Sequence, residues 1–323
     1  MAKPATRRRP DWDSRIGRRL TLRDLHILSS VARWGSMAKA ASHLSTTQSV
    51  VSDAIANLES ALGVRLFDRS AKGVEPTVYA RSLLKRTDVV FDELRAGVQD
   101  IEALAGTTAG EVRIACPEFL AGGLMPDALD SFSRRYRDIV CRVAEADSTT
   151  LEFRQLQERS VDLVVARIPA SFSDDDLSVE VLFDDPHVIV AGAKSPWASR
   201  RNVTLADIAG ESWIVPASPI VRDVMTEAFE AAQLKVPEGR LVSSFVLMRN
   251  HLLATGRFLT VLPVSVLHYN GKQSGLRALP IKLGGRPRPI AIMMLKNRSV
   301  SPAVRLFVEH LRATAKDYLR RRG

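Results

Sequence analysis

The 323-residue chain has only two cysteines, Cys116 and Cys141, too far apart for a CxxC metal or redox motif. That scarcity fits a reducing cytoplasm and argues against a disulfide between them. No apolar run approaches membrane-spanning length, and the basic N-terminal stretch is not followed by an apolar one. These absences argue against a spanning helix or a signal peptide, so the expected location is the cytoplasm, with no membrane partner. Catalytic signatures are missing too: no GxSxG elbow, HExxH, P-loop or strand-following GxGxxG occurs. His26, His43, His187, His251, His268 and His310 show no ligand spacing, so neither metal nor cofactor is expected. An enzyme whose catalytic groups meet only in space stays open as an alternative.

The length exceeds that of one ordinary domain, and 46% hydrophobic with 25% charged residues is globular composition. The net charge of +10 would concentrate a polyanion nearby. Lys3, Arg7, Arg8, Arg9, Arg15, Arg18, Arg19 and Arg23 stand against only Asp11 and Asp13, a basic arm suited to phosphates or else a solubilising tail.

Leu22, Leu25, Leu28 and Val31 recur at three-residue steps and predict a helix ending near Trp34-Gly35. Ser36 is placed to cap a second helix carrying Met37, Ala40, Ala41 and Leu44, small enough for a close crossing. Ser45-Thr46-Thr47 supplies a turn and a cap for a third helix, with Val51, Ile55, Leu58 and Leu62 inward and Gly63 at its end. Its other face carries Gln48, Ser49, Ser52 and Asp53. Two short helices joined by a polar turn are how a helix-turn-helix presents its second helix to a major groove, where Gln48 can pair bidentately with adenine.

Val64 to Phe67 and Val74 to Thr77 flank Ser70-Ala71-Lys72-Gly73 and read as a two-stranded wing, with Arg69 and Lys72 near its tip. From Val78 to Leu104 no proline intervenes. There Leu83, Val90 and Leu104 alternate with Thr87, Leu94 and Ile101 in a heptad pattern, weakened by Gly97. This predicts a self-pairing helix, the alternative being a helix packed on its own chain. Gly106 to Gly110 marks a hinge. Beyond it, short β-rich runs alternate with helical segments, as in α/β layers: Glu111–Ala115, Ile139–Ala144, Asp162–Ala166, His187–Ala191, Ser212–Val215, Thr260–Leu262 and Ile290–Leu295.

The stretch GSMAKAASHLSTTQSVVSDAIANLESALGVRLFDRS, within residues 20 to 104, resembles the DNA-binding half of LysR-type transcriptional regulators without a gap. Ala40-Ala41, Leu44, Gln48, Val51-Ser52, Leu58-Glu59, Leu62-Gly63 and Arg65 to Arg69 carry the match. Two positions depart from it: Ser49 stands where proline is common, and Asp53 where arginine or lysine is usual. Asp53 would repel phosphate; the alternatives are that it accepts from cytosine N4 or, the favoured reading, that it faces away and leaves affinity to the arm and wing. VDLVVARIP, ESWIVP, TGRFLTVLP and SPAVRLFVEHLR extend the resemblance over residues 110 to 315, most like the subgroup of galactose-binding-protein regulators and some aromatic-acid catabolic regulators.

The resemblance implies an α/β multidomain protein: an N-terminal winged helix-turn-helix, a long linker helix, and a two-lobed, periplasmic-binding-protein-like α/β effector domain. The boundaries it suggests are an arm at 1–19, the DNA-binding domain at 20–78, the dimerisation helix and hinge at 79–109, and the effector domain at 110–318. Lobe one takes 110–168 and 275–318, and lobe two 169–274. DNA contacts are implied for Ser36, Thr47, Gln48, Ser49, Ser52, Asp53, Arg65, Arg69 and Lys72. Effector contacts are implied for Cys116, Pro117, Glu118, Ser148, Thr149, Arg167 and Ser218, with Arg167 pairing a ligand carboxylate or an internal acid such as Asp147 or Glu118. The implied partners are double-stranded promoter DNA, RNA polymerase, further copies in a homodimer or homotetramer, and a small effector such as a sugar, sugar acid or aromatic carboxylate. Sequence-indifferent DNA packaging is the other reading of the same arm and wing.

Overall fold

The computed structural model describes residues 20–70, 73–105, 109–146, 153–168, 172–239, 241–243, 245–284 and 288–322. The chain forms two compact units that divide between Arg95 and Ala96.

The N-terminal unit runs α1 (Leu22–Trp34), α2 (Met37–His43), α3 (Gln48–Leu62), β1 (Phe67–Ser70), β2 (Gly73–Pro76) and into α4 (Val78–Leu104). Local signals fix these bounds. Thr21 and Asp24 close a reciprocal capping box on α1, Ser36 and Thr47 accept the Lys39 and Val50 N–H groups of α2 and α3, and left-handed Gly35 and Gly63 end α1 and α3. The three helices bury Leu28, Val31, Ala40, Val51, Ile55 and Leu58 in one core. Leu22 departs from the expected stripe: it opens α1 and stays 47% exposed, while Ile27 is buried.

The wing begins later than its apolar run suggests. Glu59 of α3 accepts the N–H groups of Leu66 (2.7 Å) and Phe67 (3.3 Å), so the chain at Leu66 is tied to the helix and pairing starts at Phe67, opposite Pro76. Gly73 has φ +126°, and a Cβ there would meet the Gly35 carbonyl oxygen at 2.7 Å, so wing and α1 close only around glycine.

The C-terminal unit continues β3 (Gly110–Cys116), α5 (Glu118–Ala121), α6 (Leu124–Arg135), β4 (Ile139–Glu145), α7 (Arg154–Gln157), β5 (Leu163–Arg167), β6 (Leu177–Asp184), β7 (His187–Gly192), α8 (Leu205–Ile208), β8 (Ile214–Pro216), α9 (Pro219–Ala231), β9 (Leu241–Ser243), α10 (Val246–Ala254), β10 (Leu259–Pro263), α11 (Val264–Ser274), β11 (Leu276–Ala278), β12 (Pro289–Leu295) and α12 (Pro302–Arg322). Lobe one is a five-stranded sheet ordered β4-β3-β5-β12-β6; lobe two holds β10-β7-β11 and the parallel pair β8-β9, linked through a Trp213–Leu259 bridge. One core fills the space between the first sheet, α6 and α12 around Phe132, Phe307 and Tyr318, and another surrounds Trp213 and Phe229.

The crossings between lobes differ from the expected 168/169 and 274/275. Residues 177–184 pair with β12 and so belong to lobe one, which moves the outward crossing to Asp185-Pro186. Leu276–Ala278 pairs with β7 in lobe two, which moves the return to between Ala278 and Pro289.

Candidate nucleic-acid interface and effector cleft

On α3 the buried stripe Val51, Ala54, Ile55 and Leu58 anchors one face, and the opposite face presents Gln48, Ser49 and Asp53 to solvent with Ser52 half-buried. The Thr47 hydroxyl caps the helix and meets Ser49 Oγ at 2.9 Å, so two of the predicted DNA contacts also shape the helix start. Ser36 Oγ is likewise taken up by its cap on α2. Arg65 is exposed at the start of the wing, and its carbonyl accepts from Thr77 Oγ1 at 2.9 Å. Arg69 lies on β1 opposite Val74, and Lys72 falls outside the described residues. Lys39, exposed on α2, was not among the sequence-derived contacts, although the first helix of this arrangement crosses the phosphate backbone. A lysine in the first turn of a capped helix was the signal available.

In the second unit, Glu118 follows β3, Ser218 follows β8, and Phe245 and Val246 follow β9. All three strands run parallel to their neighbours, so these residues sit at the carboxyl edges where open α/β sheets hold ligands. The two edges meet: Glu118 Oε2 of lobe one accepts the Val246 N–H of lobe two at 2.8 Å, across 128 residues of chain. Ser218 opens α9 half-buried, with its hydroxyl making no cap bond. Arg249, one turn into α10, is 6% exposed, and its Nε and Nη2 have no hydrogen-bond partner among the described residues. Burial lowers its pKa to about 10 against the opposing pull of Glu118, so the side chain stays cationic at neutral pH. Sequence reading missed Arg249; a lone arginine at the core-facing position of VLMRNHLLA was the available signal.

Two predicted effector contacts are engaged within the fold. Arg167 is 6% exposed and donates to the Asp185 carboxylate and to the carbonyls of Asp185 and Arg288, so its internal acid among the described residues is Asp185 and not Glu118, while Asp147 lies outside the described residues. Its Nη1 and Nη2 donors hold the crossings together. Cys116 is 1% exposed within the lobe-one core, and burial followed by the Glu145 charge raises its thiol pKa to about 11, an unreactive state. Pro117 is buried and starts α5, while Ser148 and Thr149 lie outside the described residues. Among the described residues no helix is long and apolar enough to cross a membrane.

A capped, outward-facing second helix beside a wing, followed by a two-lobed α/β unit with ligand-type strand edges, defines a DNA-binding regulator with a small-molecule domain. The chain belongs to the LysR family: residues 22–81 match the bacterial regulatory helix-turn-helix protein, lysR family, and residues 105–316 match the LysR substrate binding domain. It is 27% identical over 283 residues to the HTH-type transcriptional regulator GalR of Pseudomonas putida, covering 87% of this chain and 70% of that protein. It is 23% identical over 305 residues to the HTH-type transcriptional regulator GbpR of Azospirillum brasilense, covering 94% and 89%. Its fold is similar to that of a full-length OxyR variant from Pseudomonas aeruginosa, with TM-score 0.65 at 20% identity over 92% of this chain and 95% of that one. The protein is a DNA-binding transcription regulator with a C-terminal effector-binding domain.

Proposed function

We propose that the protein binds a dyad-related promoter site as a homodimer or homotetramer and that a small molecule in the interlobe cleft changes its hold on DNA and on RNA polymerase. The observation that carries the reading is the face of α3 that exposes Gln48, Ser49 and Asp53 with Ser52 half-buried beside them, set against a buried stripe. In this reading Gln48 and the serines meet base edges. Arg65, Arg69, Lys72 and Lys39 meet phosphate, and Ser36 and Thr47 order the helix starts. The apolar residues left exposed along α4, from Val90 (39%) and Leu94 (46%) to Ile101 (67%) and Leu104 (88%), supply the pairing surface. Ser218 remains a proposed cleft contact, with Glu118 at the lobe-one edge of the cleft and Ser148 and Thr149 kept as further proposed contacts.

Selection of bound duplexes from a random pool by the full-length protein tests this. The expected product is a dyad-symmetric site with half-sites about one helical turn or a multiple apart, bound at least ~10³-fold more tightly than scrambled DNA. Near-equal affinity for all duplexes at matched salt would instead establish packaging.

A further inference from the structure

The contact between lobes leaves Glu118 and Arg249 unequally partnered. Glu118 reaches across to the first N–H of α10, where the open N–H groups and the helix dipole favour an anion. Arg249 lies one turn behind that position, 6% exposed, with Nε and Nη2 unpartnered among the described residues. A buried guanidinium with open donors is costly, and the geometry that satisfies it is a planar oxyanion taking two parallel hydrogen bonds. Asn250, beside it, keeps a buried Oδ1 that no described group reaches. Arg167, also buried, differs in that its charge is already paired with the Asp185 carboxylate.

We propose that Arg249 and the N-terminus of α10 form the receptor for the carboxylate of a small organic acid, and that Glu118 is an internal stand-in which that acid displaces. This deepens the effector reading and rests on the interlobe cleft being the effector site. Exchange of one carboxylate for another conserves the charge beside Arg249, whereas a neutral sugar would leave the cation uncompensated. Glu118 is half-buried on a short helix, so its path back to solvent is short. Displacement breaks the direct bond between lobes, which couples ligand binding to their relative position.

Chemical rescue in the full-length protein tests the proposal with acetate as the probe. Glu118→Ala is expected to lower the melting temperature, and sodium acetate to restore several degrees of it, while sodium chloride at equal ionic strength and D-galactose do not. The double variant with Arg249→Met should show no acetate response. In titrations of a mixed panel of aromatic and sugar acids, any acid that binds the wild type should bind Glu118→Gln about tenfold more tightly, because the internal competitor is gone. No acetate rescue of Glu118→Ala overturns the proposal even if the double variant fails to fold. Rescue by inorganic phosphate alone overturns the carboxylate assignment. Wild-type mobility shifts on duplex DNA are run alongside, and their failure would strike the regulator reading while leaving the rescue result to stand by itself.

Discussion

Arg167 and Asp185 form an ion pair at 2.7 Å with side chains 4% and 0% exposed, at the point where the chain first crosses between lobes. Asp185 also accepts the N–H (3.0 Å) and hydroxyl (2.7 Å) of Ser265 in lobe two, and Arg167 reaches the Arg288 carbonyl (2.9 Å) on the returning crossing. One buried pair therefore binds both crossings. Asp185→Ala leaves an uncompensated buried cation and is expected to destabilise the C-terminal unit by about 3–5 kcal/mol. Denaturant unfolding of that unit measures it, and a loss below ~1 kcal/mol would contradict the assignment.

His187 lies just past the same crossing, 6% exposed. Burial, then the charges of Arg167 and Arg288, lowers its pKa to about 2. The folded state thus keeps it neutral where the unfolded chain, titrating near 6.5, binds a proton. Stability from this group is present above pH 6.5 and is lost as pH falls below it, by up to ~1.4 kcal/mol per pH unit. His187→Gln should flatten the acid limb between pH 6.5 and 4.5 in thermal unfolding. An unchanged limb would show that other groups govern it.

Asp53 is exposed on the face of α3 proposed to meet DNA, where a carboxylate would oppose phosphate. Asp53→Arg is expected to raise affinity for duplexes of any sequence and to steepen the salt dependence by ~0.9 in log K per log salt for each phosphate gained. Binding isotherms at several salt concentrations decide it, and an unchanged slope would mean that the side chain points away from the backbone.

Along α4, Leu94 and Ile101 are 46% and 67% exposed, a state that self-pairing would relieve. Leu94→Glu with Ile101→Glu should shift the sedimenting species to monomer and weaken binding to a two-half-site duplex far more than to a single half-site. A variant that remains dimeric would assign association to another surface.

The N-terminal unit was legible because its signals are local. Thr47 and Gly63 bracket α3 within one sequence window, Ser36 and Gly35 sit at adjoining helix ends, and the apolar spacing follows the helical period. The start of the wing is later than the apolar run suggests because Glu59, seven residues before Leu66, takes the Leu66 N–H. In the second unit β6 was overlooked. Among the described residues it is an edge strand paired to β12, with a register shift between Ile290 and Ala291 and with Val181 56% exposed, so its alternation is interrupted. Strands β9 and β11 span only three residues each. The roles of Arg167 and Arg249 were hidden for a different reason. Asp185 is 18 residues from Arg167 and Glu118 is 128 from Val246, and those partnerships exist only once the lobes are folded together.

The most direct test of DNA reading by α3 compares Gln48→Ala with the wild type on the selected site and on a scrambled duplex at ~0.15 M salt. The expected result is a loss of about 1–3 kcal/mol on the selected site with binding to scrambled DNA unchanged, because the lost contact is to a base edge. Equal weakening on both duplexes, or no change on either, would contradict the account.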